Sequence, residues 1–259
     1  MSSTATETAA QWLVAARREG RPRARLPEAC RPVDCAAAHA IQSRVTELLD
    51  APVGGWKCSV GSAEREPAAP IHAARIARES PCAIPVRDGH ARIEPEIAFV
   101  LERDLPPRAT PWSAEEIAAA IGEIRLVLEL LDSRIDDPGP LPFVESLADG
   151  LSNYGLYVGP RLPDQHSHDL RSFALSITTP EATLLQRTGV HPDGHPLRPL
   201  LWLANWLGRD QCCWTAGLAQ GQIVTTGSYA GAIEVPVDVP LAITFGDLGR
   251  IDIVLTQGA

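Results

Sequence analysis

Residues 92–101, Arg-Ile-Glu-Pro-Glu-Ile-Ala-Phe-Val-Leu, constrain this chain more than any other stretch. The run is β-prone, and in a strand successive side chains point to opposite faces. Glu94, Glu96 and Ala98 then share one face, while Ile93, Pro95, Ile97 and Phe99 share the other. Two carboxylates on one face repel unless water screens them or a positive charge sits between them. Two readings fit: a solvated strand face, or a pair of ligands for a divalent cation. Pro95 cannot donate to a ladder, so the strand is expected at an edge or beside an opening.

Two other residues are out of place in apolar surroundings. Residues 124–134, Ile-Arg-Leu-Val-Leu-Glu-Leu-Leu-Asp-Ser-Arg, read as a buried strand with Glu129 in its middle. An isolated buried charge is very costly, so Glu129 must be paired, protonated or metal-bound, and it is the candidate third ligand. Asp132 and Arg134, where this strand leaves the core, are expected to pair with each other. Lys57 lies in a short strand, residues 56–61, after the turn at Gly54 and Gly55. It either snorkels to water or serves a site.

Helical periodicity marks residues 6–18, with Ala9, Trp12, Leu13 and Ala16 on one face. A second helix runs to Leu49 from an Asp34 N-cap, with Ala38, Ile41, Val45 and Leu48 as its stripe. These helices read as a lid or platform. Residues 62–80 have no clear period and are expected to be a loop, long enough to cover a site. Ser113 and Glu116 form a capping box for a helix to about Ile121. Residues 148–155 form a polar, glycine-flanked turn that suits a small anion or is a plain loop. His191 and His195 read as loop residues, since Pro192, Asp193 and Gly194 separate them.

Composition narrows the class. A net charge of −9 argues against nucleic acid, which selects clustered Lys and Arg. The six cysteines, one vicinal pair among them, follow no disulfide or metal spacing and suit buried free thiols in a reducing cytosol. Residues 1–7 carry no secretory pattern, and no window approaches about 18 apolar residues, so the expectation is a cytoplasmic protein with no membrane span.

Five stretches together resemble the hydratase and decarboxylase branch of the fumarylacetoacetase superfamily, typified by 2-oxopent-4-enoate hydratase. They are Gly55-Trp56-Lys57; residues 93–98, Ile-Glu-Pro-Glu-Ile-Ala; residues 128–135, Leu-Glu-Leu-Leu-Asp-Ser-Arg-Ile; Gly194-His195-Pro196-Leu197 with Trp202-Leu203-Ala204; and residues 226–232, Thr-Gly-Ser-Tyr-Ala-Gly-Ala. The resemblance covers residues 34–255. It implies an α+β fold: a mixed, coiled β-roll of the fumarylacetoacetase type at residues 53–259, after a small helical region at 1–52.

The resemblance also implies a site. Glu94, Glu96 and Glu129 would hold one divalent cation, and all-oxygen ligation favours Mg²⁺ or Mn²⁺. Lys57 would bind substrate or move a proton, and Ser152 and Ser228 would stand near the substrate tail. A small 2-oxo acid would chelate the cation and react through an enolate, by water addition or by loss of CO₂. The expected reaction is hydration of 2-hydroxypenta-2,4-dienoate, with decarboxylation of a 2-oxo-enedioate or a catalytically impaired accessory subunit as alternatives. Expected partners are a homo-oligomer mate and a related pathway enzyme. Two departures stand out. The loop acid that family hydratases carry after the lysine strand is missing from residues 69–74, where His72 is the candidate replacement. The turn that usually reads Asp-Asn-Ala-Ser is Asp149-Gly150-Leu151-Ser152, with its amide gone or moved to Asn153.

Overall fold

Strand register explains why the odd charges meet. The computed structural model describes residues 1–136, 139–163, 169–209 and 212–258. The chain opens with α1 (Ser3–Glu19) and α2 (Cys35–Leu48), the latter capped by Asp34, whose carboxylate accepts from the Ala37 amide at 2.7 Å. Then come β1 (Val53–Cys58), β2 (Ala68–His72), β3 (Ile76–Ala77), β4 (Cys82–Ile84) and β5 (His90–Leu101). After α3 (Ala114–Ala118) and β6 (Ile121–Leu131) follow α4 (Phe143–Ala148), β7 (Asn153–Arg161), β8 (Ser172–Thr178) and β9 (Thr183–Val190). The chain continues with α5 (Leu197–Trp206), β10 (Ile223–Thr225), β11 (Ile233–Pro236), β12 (Pro240–Phe245) and β13 (Arg250–Gln257).

The main sheet runs β2-β1-β10-β5-β6-β7-β3, with β11 added to β5. Its first and last strands, β2 and β3, are joined by only Ala73–Arg75. Edges that close in sequence must also meet in space, so the sheet curls into a roll. Inside, Ile71, Ala98, Val127, Leu156, Val158 and Ile223 make an apolar plug. The outer face, with Ile93, Ile97, Phe99, Leu126 and Leu128, packs in the main core with the second sheet, β4-β13-β12-β8-β9, and α5. A separate core joins α1, α2 and α4 through Leu13, Ile41, Leu147 and neighbours. The architecture is α+β with curled mixed sheets and a helical N-terminal region.

Several expectations need correcting. Residues 62–80 are a loop only in part: β2 lies antiparallel to β1 there, with Lys57 opposite Ala69, and β3 follows. The irregular composition hid it because β2 is short and carries Pro70. β5 is not an edge strand either, since β6 pairs with its residues 92–101 on one side and β10 and β11 pair on the other. Yet the expected opening exists on its other side. β10 pairs only with 98–100 and β11 only with 90–93, leaving the backbone beside Pro95 to a loop. The Pro95 carbonyl accepts from the Tyr229 amide there, at 3.1 Å, so proline's missing N–H falls in the gap where no ladder needs it. The helix after Ser113 stops at Ala118, its capping box intact. Among the cysteines, Cys30, Cys58 and Cys82 are buried, but Cys213 is exposed. No helix of the described residues is long and apolar enough to cross a membrane.

Candidate metal and active site

Register alone sets the acids together. Glu94 lies directly opposite Glu129 across β5 and β6, and Glu96, two residues on, projects to the same inner face. Lys57 is opposite Thr225, and Thr225 is opposite Ala98, so the lysine joins that face from two strands away. The three carboxylates offer oxygens that all lie within 4.8 Å of one another. Glu129 is fully buried and Glu96 nearly so. The solvated-face reading of this strand therefore fails.

Each acid is braced by a different element. Glu96 accepts from the Thr225 hydroxyl at the end of β10 and from the Gly227 amide, in the loop that follows, at 2.9 Å. Glu129 Oε1 accepts from Lys57 Nζ at 2.6 Å and from Asn153 Nδ2 at 2.9 Å. Lys57 also donates to the Leu151 carbonyl at 3.0 Å. Its side chain is 14% exposed, so it does not snorkel. The second Glu129 oxygen, Oε2, is buried without a hydrogen-bond partner. Such an atom is expensive to leave unsatisfied.

The electrostatics follow. Burial, then the charges of Glu129 and Glu94, push Glu96 up to about 8, against the bonds from Thr225 and Gly227. Burial and Glu129 raise Glu94 as well. Burial alone would lower Lys57, but the surrounding acids, Glu129 foremost, outweigh it and hold the ammonium charged. Were all three carboxylates ionised, the one ammonium would leave two negative charges in a poorly solvated space, which is why Glu96 holds its proton without a cation. A divalent cation cancels that surplus and satisfies Glu129 Oε2, so the residues present fit a metal.

The acids open on a cavity of about 460 Å³, lined also by Ser59, Arg65, Ser146, Leu151 and Ser228. Ser228 lines the same cavity as the acids, and its hydroxyl donates to the Gly231 carbonyl at 3.1 Å. Ser152 does not line this cavity, and its carbonyl instead accepts from the Asp132 amide at 2.9 Å. His72 lines a different cavity, 3.1 Å from the Thr46 hydroxyl. The segment that follows the lysine strand and reaches the acids is 59–67, between β1 and β2. It contains Glu64 and Glu66, and its Arg65 stands over the Phe143 ring at 4.1 Å. Arg65, Ser59 and Ser146 had no distinguishing pattern in the sequence. Asn153, where a displaced amide was suspected, proves to be a donor to Glu129.

Asp132 and Arg134 do not pair with each other through their side chains. Asp132 is held by Arg87 at 2.9 Å, and Arg134 by Asp149 at 2.7 Å. The turn after α4 brings Asp149 back under the end of β6, which sequence adjacency could not show.

The curled-sheet fold is shared with solved proteins that include a fumarylacetoacetate hydrolase family protein from Yersinia pestis, and comparison with known proteins bears out the resemblance to the hydratase and decarboxylase branch of the fumarylacetoacetase superfamily. Among curated relatives, the 2-hydroxyhexa-2,4-dienoate hydratase of Comamonas testosteroni is 27% identical over 64% of this chain and 60% of its own length. The 2-keto-4-pentenoate hydratase of Burkholderia vietnamiensis is 28% identical over 64% of this chain and 61% of its own. The aligned region thus spans about three fifths of each relative. The solved 4-oxalocrotonate decarboxylase of Pseudomonas putida G7, complexed with calcium and acetate, superposes with a TM-score of 0.79 over 99% of both chains, at 18% identity. No protein-family model matches the chain.

Proposed function

We propose that this protein is a divalent-metal-dependent hydro-lyase that hydrates 2-hydroxypenta-2,4-dienoate, or a close 2-oxo acid analogue, to a 4-hydroxy-2-oxo acid. The observation that carries this reading is the buried Glu94–Glu96–Glu129 cluster, with Lys57 paired to Glu129 and the second oxygen of Glu129 unsatisfied. The hydratase names of the aligned relatives support the reaction class.

A hard divalent ion such as Mg²⁺ or Mn²⁺, held by the three glutamates, would supply Lewis-acid stabilisation of the enolate of a 2-oxo acid. The protein's own groups do the rest. Two N–H bonds of Lys57 go to Glu129 and Leu151, which leaves one for a ligand in the cavity. That donor suits a substrate carboxylate or a proton transfer at the dienol. Arg65 at the cavity wall gives a second cation for an anionic substrate, and Ser146 and Ser228 give hydroxyls along its length. Overall, the diene gains the oxygen of water at C4 and protons at C3 and C5, while the 2-hydroxyl gives up its proton to become the ketone.

Decarboxylation of a 2-oxo-enedioate is the second reading, favoured by the end-to-end superposition on the decarboxylase. A homo-oligomer in the cytoplasm, working beside a related pathway enzyme, completes the proposal. Purified protein with Mg²⁺ is tested against 2-hydroxypenta-2,4-dienoate and its carboxylated analogue. Loss of the diene chromophore of the first without CO₂ is the expected result. CO₂ from the second would establish the decarboxylase instead. Inactivity on both, with metal still bound, would overturn both in favour of an accessory role.

A further inference from the structure

A second cavity, of about 630 Å³, opens beside the β2–β3 edge of the roll, where α1 and α2 cover it. Its charge runs against that of the whole chain. The sequence holds 23 Lys and Arg against 32 Asp and Glu, yet this cavity is lined by Arg17, Arg18, Arg21, Arg75, Arg87 and Arg134 and by a single carboxylate, Asp132.

The few acids nearby do not neutralise all of the arginines. Glu19 stands 3.7 Å from Arg21. Asp132 is taken by two guanidinium nitrogens of Arg87. Asp149, just behind the wall, gives its close contacts to Arg134, which bonds it through Nε at 2.7 Å and through its backbone amide at 2.9 Å. Arg17 is left with long contacts, 3.5 Å to the Asp149 carboxylate and 3.3 Å to its carbonyl. Arg75 takes the hydroxyl and ring face of Tyr154 and no carboxylate. The field of Arg17, Arg134 and Arg75 also reaches His72 on the same wall and, after burial, helps to hold it neutral, down at about 4. Gln42, Asn153 and Tyr154 add polar groups, and Val45, Leu49 and Val86 add apolar surface. The volume is that of an ordinary small-molecule pocket.

We propose that this cavity is a binding site for a small organic dianion, bearing carboxylate or phosphate groups, held between Arg17 and Arg75. Guanidinium forks match both groups in geometry, and their charge-assisted bonds are the strong ones. The site is separate from the acid cavity and does not depend on the reaction assigned there.

Isothermal titration of metal-free full-length protein at low ionic strength, with succinate and with inorganic phosphate as probes, tests it. One saturable site is expected for at least one probe, and the tighter of the two identifies the group recognised. Arg75→Gln, at an exposed position that tolerates change, is expected to weaken binding about tenfold, the loss of one charged hydrogen bond. Arg17→Gln is expected to do the same or more, and Arg250→Gln, exposed and paired with Asp252, is expected to change nothing. Absence of saturable binding by both probes in the wild type would overturn the site. So would Arg75→Gln binding as tightly as wild type, or Arg250→Gln weakening binding equally.

Discussion

The acid cavity and the arginine cavity lie on opposite sides of one turn, Asp149 to Asn153, and were assembled in different ways. On the acid side, the three glutamates and Lys57 are placed by strand alternation and register, and only Arg65 comes from a loop. On the arginine side, the charges arrive from α1, the β2–β3 turn, the segment before β5 and the end of β6. The turn serves both. Asp149 anchors Arg134 and Arg17, the Leu151 carbonyl accepts from Lys57, and the Asn153 side-chain amide donates to Glu129. Gly150, Leu151 and Ser152 all adopt positive φ, of 78°, 55° and 60°. For the two non-glycine residues that backbone costs free energy, so surrounding bonds must hold it. The contrast teaches that one strained turn can set the geometry of a negative site because a positive one grips its other end.

Breaking the grip is the severest test. Arg134→Ala would leave Asp149 buried with the residue-134 backbone amide and the long contacts of Ser133 and Arg17 but no close cation, and removing one partner of a buried pair costs about 3–5 kcal/mol. Urea denaturation should show a loss of that size. A loss under about 1 kcal/mol would mean that the turn holds itself.

On the acid side, Glu129→Gln keeps the shape and removes the charge that the cluster shares. Metal affinity should fall by at least about 100-fold, beyond what loss of an outer partner causes, with a modest change in stability. Mn²⁺ titration followed by electron paramagnetic resonance would report it. Unchanged affinity would show that the three glutamates are not the ligands.

How much of this was legible follows the same division. Glu94, Glu96, Glu129 and Lys57 were found from the sequence because each breaks an apolar pattern whose period fixes the direction of its side chain. Pro95 announced the gap in the ladder, although the strand carrying it is central. The arginine cavity was invisible. Its members stand at helix ends and turns, where sequence does not fix direction, and they meet only once the sheet has curled. The same blindness put Asp132 with Arg134 by adjacency, when each has a distant partner. β2 was missed for a local reason: a five-residue strand with a proline is too short to show alternation.

Titration should separate the cavities by sign. Glu96, raised by burial from 4.5 to about 8, stays protonated in the folded metal-free protein while the unfolded chain has released its proton. Folding then binds protons, so this contribution to stability is full below 4.5 and is lost as pH rises through 8. His72 behaves oppositely. Depressed by burial and the arginines from 6.5 to about 4, it favours the fold above 6.5 and loses that contribution as pH falls through 4. The other depressed histidines, His39, His191 and His195, are also neutral in both states above 6.5. From 6.5 to 8 the Glu96 effect is therefore exposed, and the melting temperature of metal-free protein should decline across that window. Saturating Mg²⁺ should reverse the slope, because the ion requires the ionised acids. A flat profile in both conditions would contradict the buried acid cluster.

The smallest expected effect is at the shared turn itself. Asn153 gives Glu129 one neutral donor, at 2.9 Å, while Lys57 supplies a charged one to the same oxygen. Asn153→Ala should therefore cost only about 1 kcal/mol of stability, the usual net value of one such bond, because Lys57 remains. Its metal affinity should shift by less than about tenfold. Two measurements then decide whether the turn positions the acid or merely passes it by. If the turn positions Glu129, Asn153→Ala and Arg134→Ala should be non-additive in Mn²⁺ affinity, since the second change already frees the segment that carries Asn153. If the two changes add, the grip of the arginine side ends at Asp149, and the acid cluster is held by its strands alone.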